Sequence, residues 1–245
     1  MNIPYSGLYI PLWCRARCLL EYPQLGVGEA DAIILRSLRG DFSAARRADC
    51  LLYALREKLL SEGARRHLAA LPDAALIDLG CGLDTLLRRL GGRETRRFYV
   101  DLPEVMELRE RLIPRADGET YICADVRRAG FLDGIDAPDG AIFLIGGLLC
   151  HLEYEAAAAL LKNIGLRFPG ARLVFDGMGF APRRTGLASS LPSPAALAGE
   201  CGFETLEAMK RLPEVFALVP ASRRLKLRFL LGSGLLRFYS GRMPE

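Results

Sequence analysis

With 245 residues, 51% of them apolar, the chain is long enough to bury one large α/β core and carry an appendage. Its formal net charge of +4 is mild and its arginines are scattered, with pairs such as Arg88/Arg89, Arg96/Arg97 and Arg223/Arg224 reading as solvated element ends. There is no basic face interleaved with aromatics, which excludes a conventional nucleic-acid surface.

In chain order, residues 1–20 lack a basic start and contain Pro4, Pro11, Arg15 and Arg17, so they do not read as a signal peptide. Residues 1–70 show helical patterns and no clear strand. Helices are predicted around Leu12 to Tyr22, Ala30 to Leu38 and Arg46 to Leu60. The third carries Leu51, Leu52, Leu55 and Leu59 at helical spacing, with Arg47, Arg56 and Lys58 among its polar positions.

From residue 74 strands alternate with helices. Strands are predicted over Ala75–Leu79, Phe98–Val100, Thr120–Cys123, Ala141–Ile145 and Arg172–Asp176, with a helix over Leu83 to Leu90 after the first. A helix from Glu153 to Leu166 is stopped by Phe168-Pro169-Gly170. Ser193 begins a helix to Glu200, and Cys201-Gly202 leads into a sixth strand, Phe203–Met209. Residues 222–231 fit helix or strand, and Leu235–Tyr239, after Gly232-Ser233-Gly234, reads as a last strand. The pattern predicts an α/β fold, a doubly wound sheet over residues 71–245 behind a helical cap over residues 1–70.

The seven cysteines (14, 18, 50, 81, 123, 150 and 201) are scattered, odd in number and mostly within apolar runs, which argues for reduced thiols. Cys14 and Cys18 share a helix face, but no nearby second pair completes a metal shell. The longest apolar run, Ala141 to Cys150, is too short to span a bilayer. A soluble, cytoplasmic protein without metal, nucleic-acid or membrane partners is expected.

The most informative segment is Asp78-Leu79-Gly80-Cys81-Gly82-Leu83-Asp84-Thr85, a buried strand ending in a glycine turn. Gly80 and Gly82 remove side chains where the backbone turns sharply and a ligand can come close. A dinucleotide fingerprint needs a third glycine where this chain has Thr85, and no P-loop follows any strand. What remains is acid-x-G-x-G, suited to S-adenosylmethionine. Asp101 ends the next strand about 20 residues on, the spacing of a ribose-binding acid; it also fits a cap for a helix starting near Pro103.

Ligands of open α/β sheets bind at the carboxyl ends of the strands, which gathers residues 80–85, 101–103, 124–126, 146–152 and 177–185 around one crevice. Asp125 can accept from an adenine amino group or serve as a polar turn residue. Asp176 can meet substrate or cap a loop.

Four segments together resemble the leucine carboxyl methyltransferase family, and most of all its bacterial polyketide-type O-methyltransferases. They are Ile10-Pro11-Leu12-Trp13-Cys14-Arg15-Ala16-Arg17, Leu79 to Thr85, Tyr99-Val100-Asp101-Leu102-Pro103-Glu104-Val105 with Leu108-Arg109, and Arg167 to Asp176. The resemblance implies a seven-stranded Rossmann-like sheet with the last strand antiparallel, an N-terminal helical lid, and S-adenosylmethionine as methyl donor, released as S-adenosylhomocysteine. It puts the cofactor on Arg15, Gly80, Cys81, Gly82, Asp84, Asp101, Leu102, Asp125, Val126 and Gly146, with Arg15 reaching its carboxylate, a pairing that suits a guanidinium fork. Read without the family, Arg15 is also a plausible surface residue of an amphipathic helix.

Two departures stand out. After strand four the family has Glu-Gly, an apolar stretch and Tyr, where this chain has Gly146-Gly147-Leu148-Leu149-Cys150-His151; and Leu86 stands where the family has Arg. The resemblance implies a small-molecule methyl acceptor, carboxylate or hydroxyl. A carboxylate needs no base, whereas a hydroxyl gains from one. Of the two histidines, His67 precedes strand one at the far edge and reads as a surface residue. His151 is the base candidate at the ligand edge, with a packed or capping role as its alternative. The lost acid at Gly146 leaves open a non-catalytic protein that binds S-adenosylmethionine or its product.

Overall fold

The computed structural model describes residues 6–38, 42, 50–178, 191–209, 217–232 and 236–245. Its helices are α1 (Ser6–Glu21), α2 (Glu29–Ser37), α3 (Cys50–Ala70), α4 (Pro103–Leu112), α5 (Tyr154–Arg167), α6 (Pro194–Cys201) and α7 (Ala221–Gly232). Its strands are β1 (Ala75–Leu79), β2 (Arg97–Asp101), β3 (Glu119–Cys123), β4 (Ala141–Ile145), β5 (Arg172–Met178), β6 (Thr205–Ala208) and β7 (Leu236–Arg242). Residues 43–49, where the third predicted helix begins, lie outside the described residues, as do 179–185 of the predicted crevice and 233–235 of the last turn.

The strands form one sheet in the order β3-β2-β1-β4-β5-β7-β6, with β7 antiparallel to both neighbours. β1 and β4 lie at its centre, and all five residues of each are buried, because helices cover both faces of a parallel sheet. One face packs Ile77, Phe143 and Phe175 against Leu160, Leu161 and Ile164 of α5 and Leu197 of α6. The other packs Leu76, Ile142 and Val174 against Leu60 and Ala64 of α3 and Met106 of α4. The upper part of α3 turns Leu51, Ala54, Leu55 and Leu59 toward Cys14 and Cys18 of α1. α3 thus joins the N-terminal helices to the sheet.

Predicted and observed elements agree closely at the centre. α6 starts where expected, with Ser193 Oγ accepting from Ala196 N–H at 3.3 Å, and ends at Gly202 with φ +76°. The ambiguous stretch 222–231 lies in helix α7. The expected sixth strand shortens to Thr205–Ala208, paired with β7.

Three expectations are corrected. In place of a helix over Leu83–Leu90 there is a single 3-10 turn, Leu86–Arg89. A helix there would need the Gly82 and Asp84 carbonyls as its first acceptors, but both accept from Arg109 Nη1, at 3.0 and 2.6 Å. The Leu86 N–H is taken by Asp84 Oδ1 at 2.6 Å. Secondly, His67 is only partly exposed rather than a free surface residue: its Nε2 lies 2.9 Å from Ser240 Oγ on β7. Thirdly, Arg97 is buried, and its guanidinium donates to the carbonyls of Leu87, Leu90, Gly92 and Thr95, closing the end of the 3-10 segment. Arg89 stays partly exposed but pairs with the buried Glu57.

Candidate functional site

The sheet order reverses direction between β1 and β4, so the crevice at their carboxyl ends is the expected place for a ligand. The glycine turn leaves β1 there. Gly80 and Gly82 have φ of +67° and +49°, a region in which a Cβ is strained. Gly80 N–H and Cys81 N–H both donate to Val100 O, at 2.8 and 3.2 Å, which fastens the turn to β2. Side chains stand close above it: a Cβ on Gly80 would come 3.0 Å from Leu148 Cδ1, and one on Gly82 would come 3.2 Å from Leu8 Cδ2.

Parallel register pairs Leu79 with Val100, so Asp101 comes level with the turn. Asp101 Oδ2 accepts from Gly82 N–H at 2.7 Å and Oδ1 from Leu102 N–H at 2.8 Å. Leu102, which is the N-cap of α4, makes no side-chain cap, so Asp101 serves the glycine turn rather than capping the helix. Burial raises its carboxyl above the ordinary range, and the two N–H donors pull the other way.

Beneath the turn, Arg109 of α4 is fully buried and lies 4.1 Å from the centre of the Tyr99 ring and 5.1 Å from that of Tyr121. It binds the turn's carbonyls while Asp101 binds its N–H, so both sides of the loop are fixed. Asp78, also buried, has its carboxyl raised well above the usual range, first by burial and then by Asp84, with Arg109 opposing. Cys81 turns its thiol into the core, 3.8 Å from Met106 Sδ, and burial raises it far from reactivity. Only its backbone faces the loop.

Arg15 reaches the turn from α1. Its Nη1 lies 3.2 Å from Asp84 Oδ2, its Nε and Nη2 donate to Asp31 Oδ1 at 2.9 and 2.5 Å, and its Nε lies 2.8 Å from Glu57 Oε2. It is buried, so the surface reading does not hold. Burial works to lower its pKa, but Asp31 and Asp84 outweigh this and hold the guanidinium charged.

The next strand ends carry the remaining candidates. Asp125 follows β3, where Oδ1 accepts from Arg127 N–H at 3.0 Å and the carboxylate pairs with the Arg127 guanidinium, which keeps its pKa low. Val126 is buried in the core. After β4, a Cβ on Gly146 would stand 2.8 Å from Leu60 Cδ1, and one on Gly147 would stand 2.4 Å from Arg56 Nη1. Asp176, near the end of β5, accepts from Gly147 N–H at 2.5 Å and lies 3.6 Å from Arg56. His151 closes the 3-10 turn Leu149–His151 and is exposed; desolvation on its packed side, followed by the Arg56 cation, lowers its pKa below 6.5.

The fold therefore brings Arg15, Gly80, Gly82, Asp84 and Asp101 into one contact network, with Asp125 and His151 on flanking strand ends. Asp31, Glu57, Arg89 and the working role of Arg109 are not identified by the sequence reading. A signal for Glu57 was present: Ala54, Glu57, Ser61 and Ala64 share one helical stripe and all are buried. A carboxylate in such a stripe requires a cationic partner. Chemically, the crevice offers a guanidinium for a carboxylate, carboxylates for hydroxyl or amino donors, and an imidazole nearby. Among the described residues no group of three or more His, Cys, Asp or Glu side chains could hold a metal ion, and no helix is long and apolar enough to cross a membrane.

Residues 41–165 match the model of leucine carboxyl methyltransferase. The tetracenomycin polyketide synthesis O-methyltransferase TcmP of Streptomyces glaucescens is 34% identical over 159 residues, covering 64% of this chain. The match spans 58% of the length of TcmP. Human N-acetylserotonin methyltransferase, solved with S-adenosylmethionine, overlays 94% of this chain and 67% of its own with a TM-score of 0.52 at 15% identity. N-methyltransferase NodS of Bradyrhizobium japonicum, solved with S-adenosylhomocysteine, overlays 91% of this chain and 98% of its own with a TM-score of 0.53 at 13% identity. At such identities the overlays speak to the fold.

Proposed function

The chain belongs to the leucine carboxyl methyltransferase family, and we propose that it is an S-adenosylmethionine-dependent O-methyltransferase acting on a carboxylate or hydroxyl of a small molecule in secondary metabolism. The observation that carries this reading is the glycine turn held between Asp101 and Arg109 with Arg15 beside it. That donor set fits the cofactor: a guanidinium for its carboxylate, Asp84 for its ammonium, Asp101 with Leu102 for its ribose, Asp125 with Val126 for its adenine. The backbone of Gly80, Cys81 and Gly82 would run beneath it, with Gly146 on the facing strand end. Residues 1–70 form the cap and residues 71–245 the catalytic domain.

When bound, S-adenosylmethionine supplies an electrophilic methyl group on a sulfonium sulfur. The residues of the chain then have to align the acceptor and keep water out. Leu8 and Leu148, which stand over the turn, provide apolar cover. Orientation of this kind contributes several kcal/mol, with about 7–11 kcal/mol available in ideal cases. For a hydroxyl acceptor, His151 takes the proton, and desolvation followed by the Arg56 cation lowers its pKa, which favours the neutral ring. For a carboxylate acceptor, no base is needed, and Arg56 beside Gly147 supplies a cation at the same strand end. Asp176 on Gly147 keeps a carboxylate at the end of β4 despite the acid missing at Gly146, which favours an active enzyme over a scaffold.

Calorimetric titration with S-adenosylmethionine and S-adenosylhomocysteine tests the cofactor. Folded protein that binds neither at millimolar ligand rules it out. Incubation with labelled S-adenosylmethionine and small-molecule carboxylates and phenols tests the transfer, and retained cofactor binding with no labelled product would favour the scaffold reading.

A further inference from the structure

The guanidinium of Arg15 is built into a frame drawn from four parts of the chain. Asp31 of α2 takes its Nε and Nη2, and Glu57 of α3 lies on Nε. The second Glu57 oxygen pairs with Arg89 of the 3-10 turn, whose Nη1 also donates to Gly26 O at 3.1 Å in the α1–α2 connection. Both acids are almost fully buried, with side-chain exposures of 6% and 2%. The backbone of α2 is close enough to allow this because Gly28 has no Cβ: one built there would lie 2.1 Å from the Arg15 carbonyl oxygen.

Two buried carboxylates, Asp31 and Glu57, with the half-buried Asp84, thus face the buried guanidinium of Arg15 and the partly exposed one of Arg89. Such a group is costly to bury and is a poor way to gain stability alone. Its geometric effect is specific. The Nε edge of Arg15 donates to Asp31 of α2 and is ion-paired with Glu57 of α3, whose oxygens accept no hydrogen bond, which leaves Nη1 as the part turned to the glycine turn at Asp84. A guanidinium pinned on one edge loses little further freedom when the other edge binds a carboxylate.

We infer that Asp31 and Glu57 are positioning residues that aim Arg15 at the amino-acid end of the bound cofactor, with Arg89 holding Glu57 from behind. This rests on the S-adenosylmethionine reading. It assigns to the helical cap a task beyond covering the crevice: it reads the carboxylate of the cofactor through acids that never touch it.

The test compares two probes by calorimetry, S-adenosylhomocysteine and 5′-methylthioadenosine, which shares the adenosine and the sulfur but has no amino-acid carboxylate. Glu57→Asp keeps the charge and withdraws the carboxylate by one methylene, so it changes position and not net charge. Asp31→Asn serves as the second variant should the first fold poorly. The expected result is a tenfold or greater loss of S-adenosylhomocysteine affinity with 5′-methylthioadenosine unchanged within twofold. Equal losses for both probes would show a merely structural role, and no loss for either would show no role; each overturns the inference. Wild-type protein that binds neither probe would instead overturn the cofactor reading itself.

Discussion

Asp101→Asn isolates the acid that fixes the glycine turn. The wild-type carboxylate accepts from Gly82 N–H at 2.7 Å and Leu102 N–H at 2.8 Å, one donor on each oxygen. An asparagine amide has one oxygen and one NH2 group, so one of the two N–H groups would meet a donor. Losing a hydrogen bond to a charged group costs about 1.5–3 kcal/mol. Part of that is returned, because the wild-type carboxyl is desolvated and its pKa raised. A net loss of about 1–2 kcal/mol is expected, a fall of roughly 3–6 °C in melting temperature for a chain of this size. Affinity for S-adenosylhomocysteine should fall about 10- to 100-fold as the ribose acceptor loses its charge and the turn its register. Urea denaturation of the ligand-free protein and calorimetry give both numbers. A variant as stable as wild type with undiminished affinity would refute the role given to Asp101.

Three further predictions follow from particular contacts. Gly28→Ala places a methyl against the Arg15 carbonyl at φ +97°, and should cost roughly 3 kcal/mol in chemical denaturation while weakening S-adenosylhomocysteine binding. His67 is held at about 4 by burial and the Arg172 cation, so its contribution is full above pH 6.5 and is lost as pH falls from 6.5 through 4; His67→Gln should flatten that loss by about 1–2 kcal/mol, discounted for the ring's partial exposure, in denaturation curves taken across the window. His151→Ala should lower kcat about 100-fold for a hydroxyl acceptor and leave cofactor affinity within a few-fold, with a carboxylate acceptor barely affected; unchanged kcat on a hydroxyl substrate removes His151 from the chemistry.

The parts of the fold legible in the sequence are those whose cause is local. β1 and β4 lie on the predicted residues, because a fully covered parallel strand is an unbroken apolar run. Ser193 and Gly202 mark the two ends of α6 by their own chemistry. The 3-10 turn after Gly82 escaped prediction for a long-range reason. Its leucine pattern favours a helix, but Arg109, on another helix, takes the carbonyls that would have started it. The pairing of Arg89 and the burial of Arg97 were hidden in the same way, since their partners come from α3 and from bends in the loop. In the candidate site, the glycine turn and Asp101 were visible as motif and spacing, and Arg15 only through the family resemblance. Asp31 and Glu57 were not, because what makes them notable is the partner they share across three helices.

The most direct measurement is a crystal structure with S-adenosylhomocysteine bound. The account predicts its carboxylate at Arg15, its ribose hydroxyls at Asp101, and its sulfur open toward the β4 end, where His151 lies and Arg56 reaches in from α3. S-adenosylhomocysteine bound away from the Gly80–Gly82 turn, or with its carboxylate remote from Arg15, would contradict it.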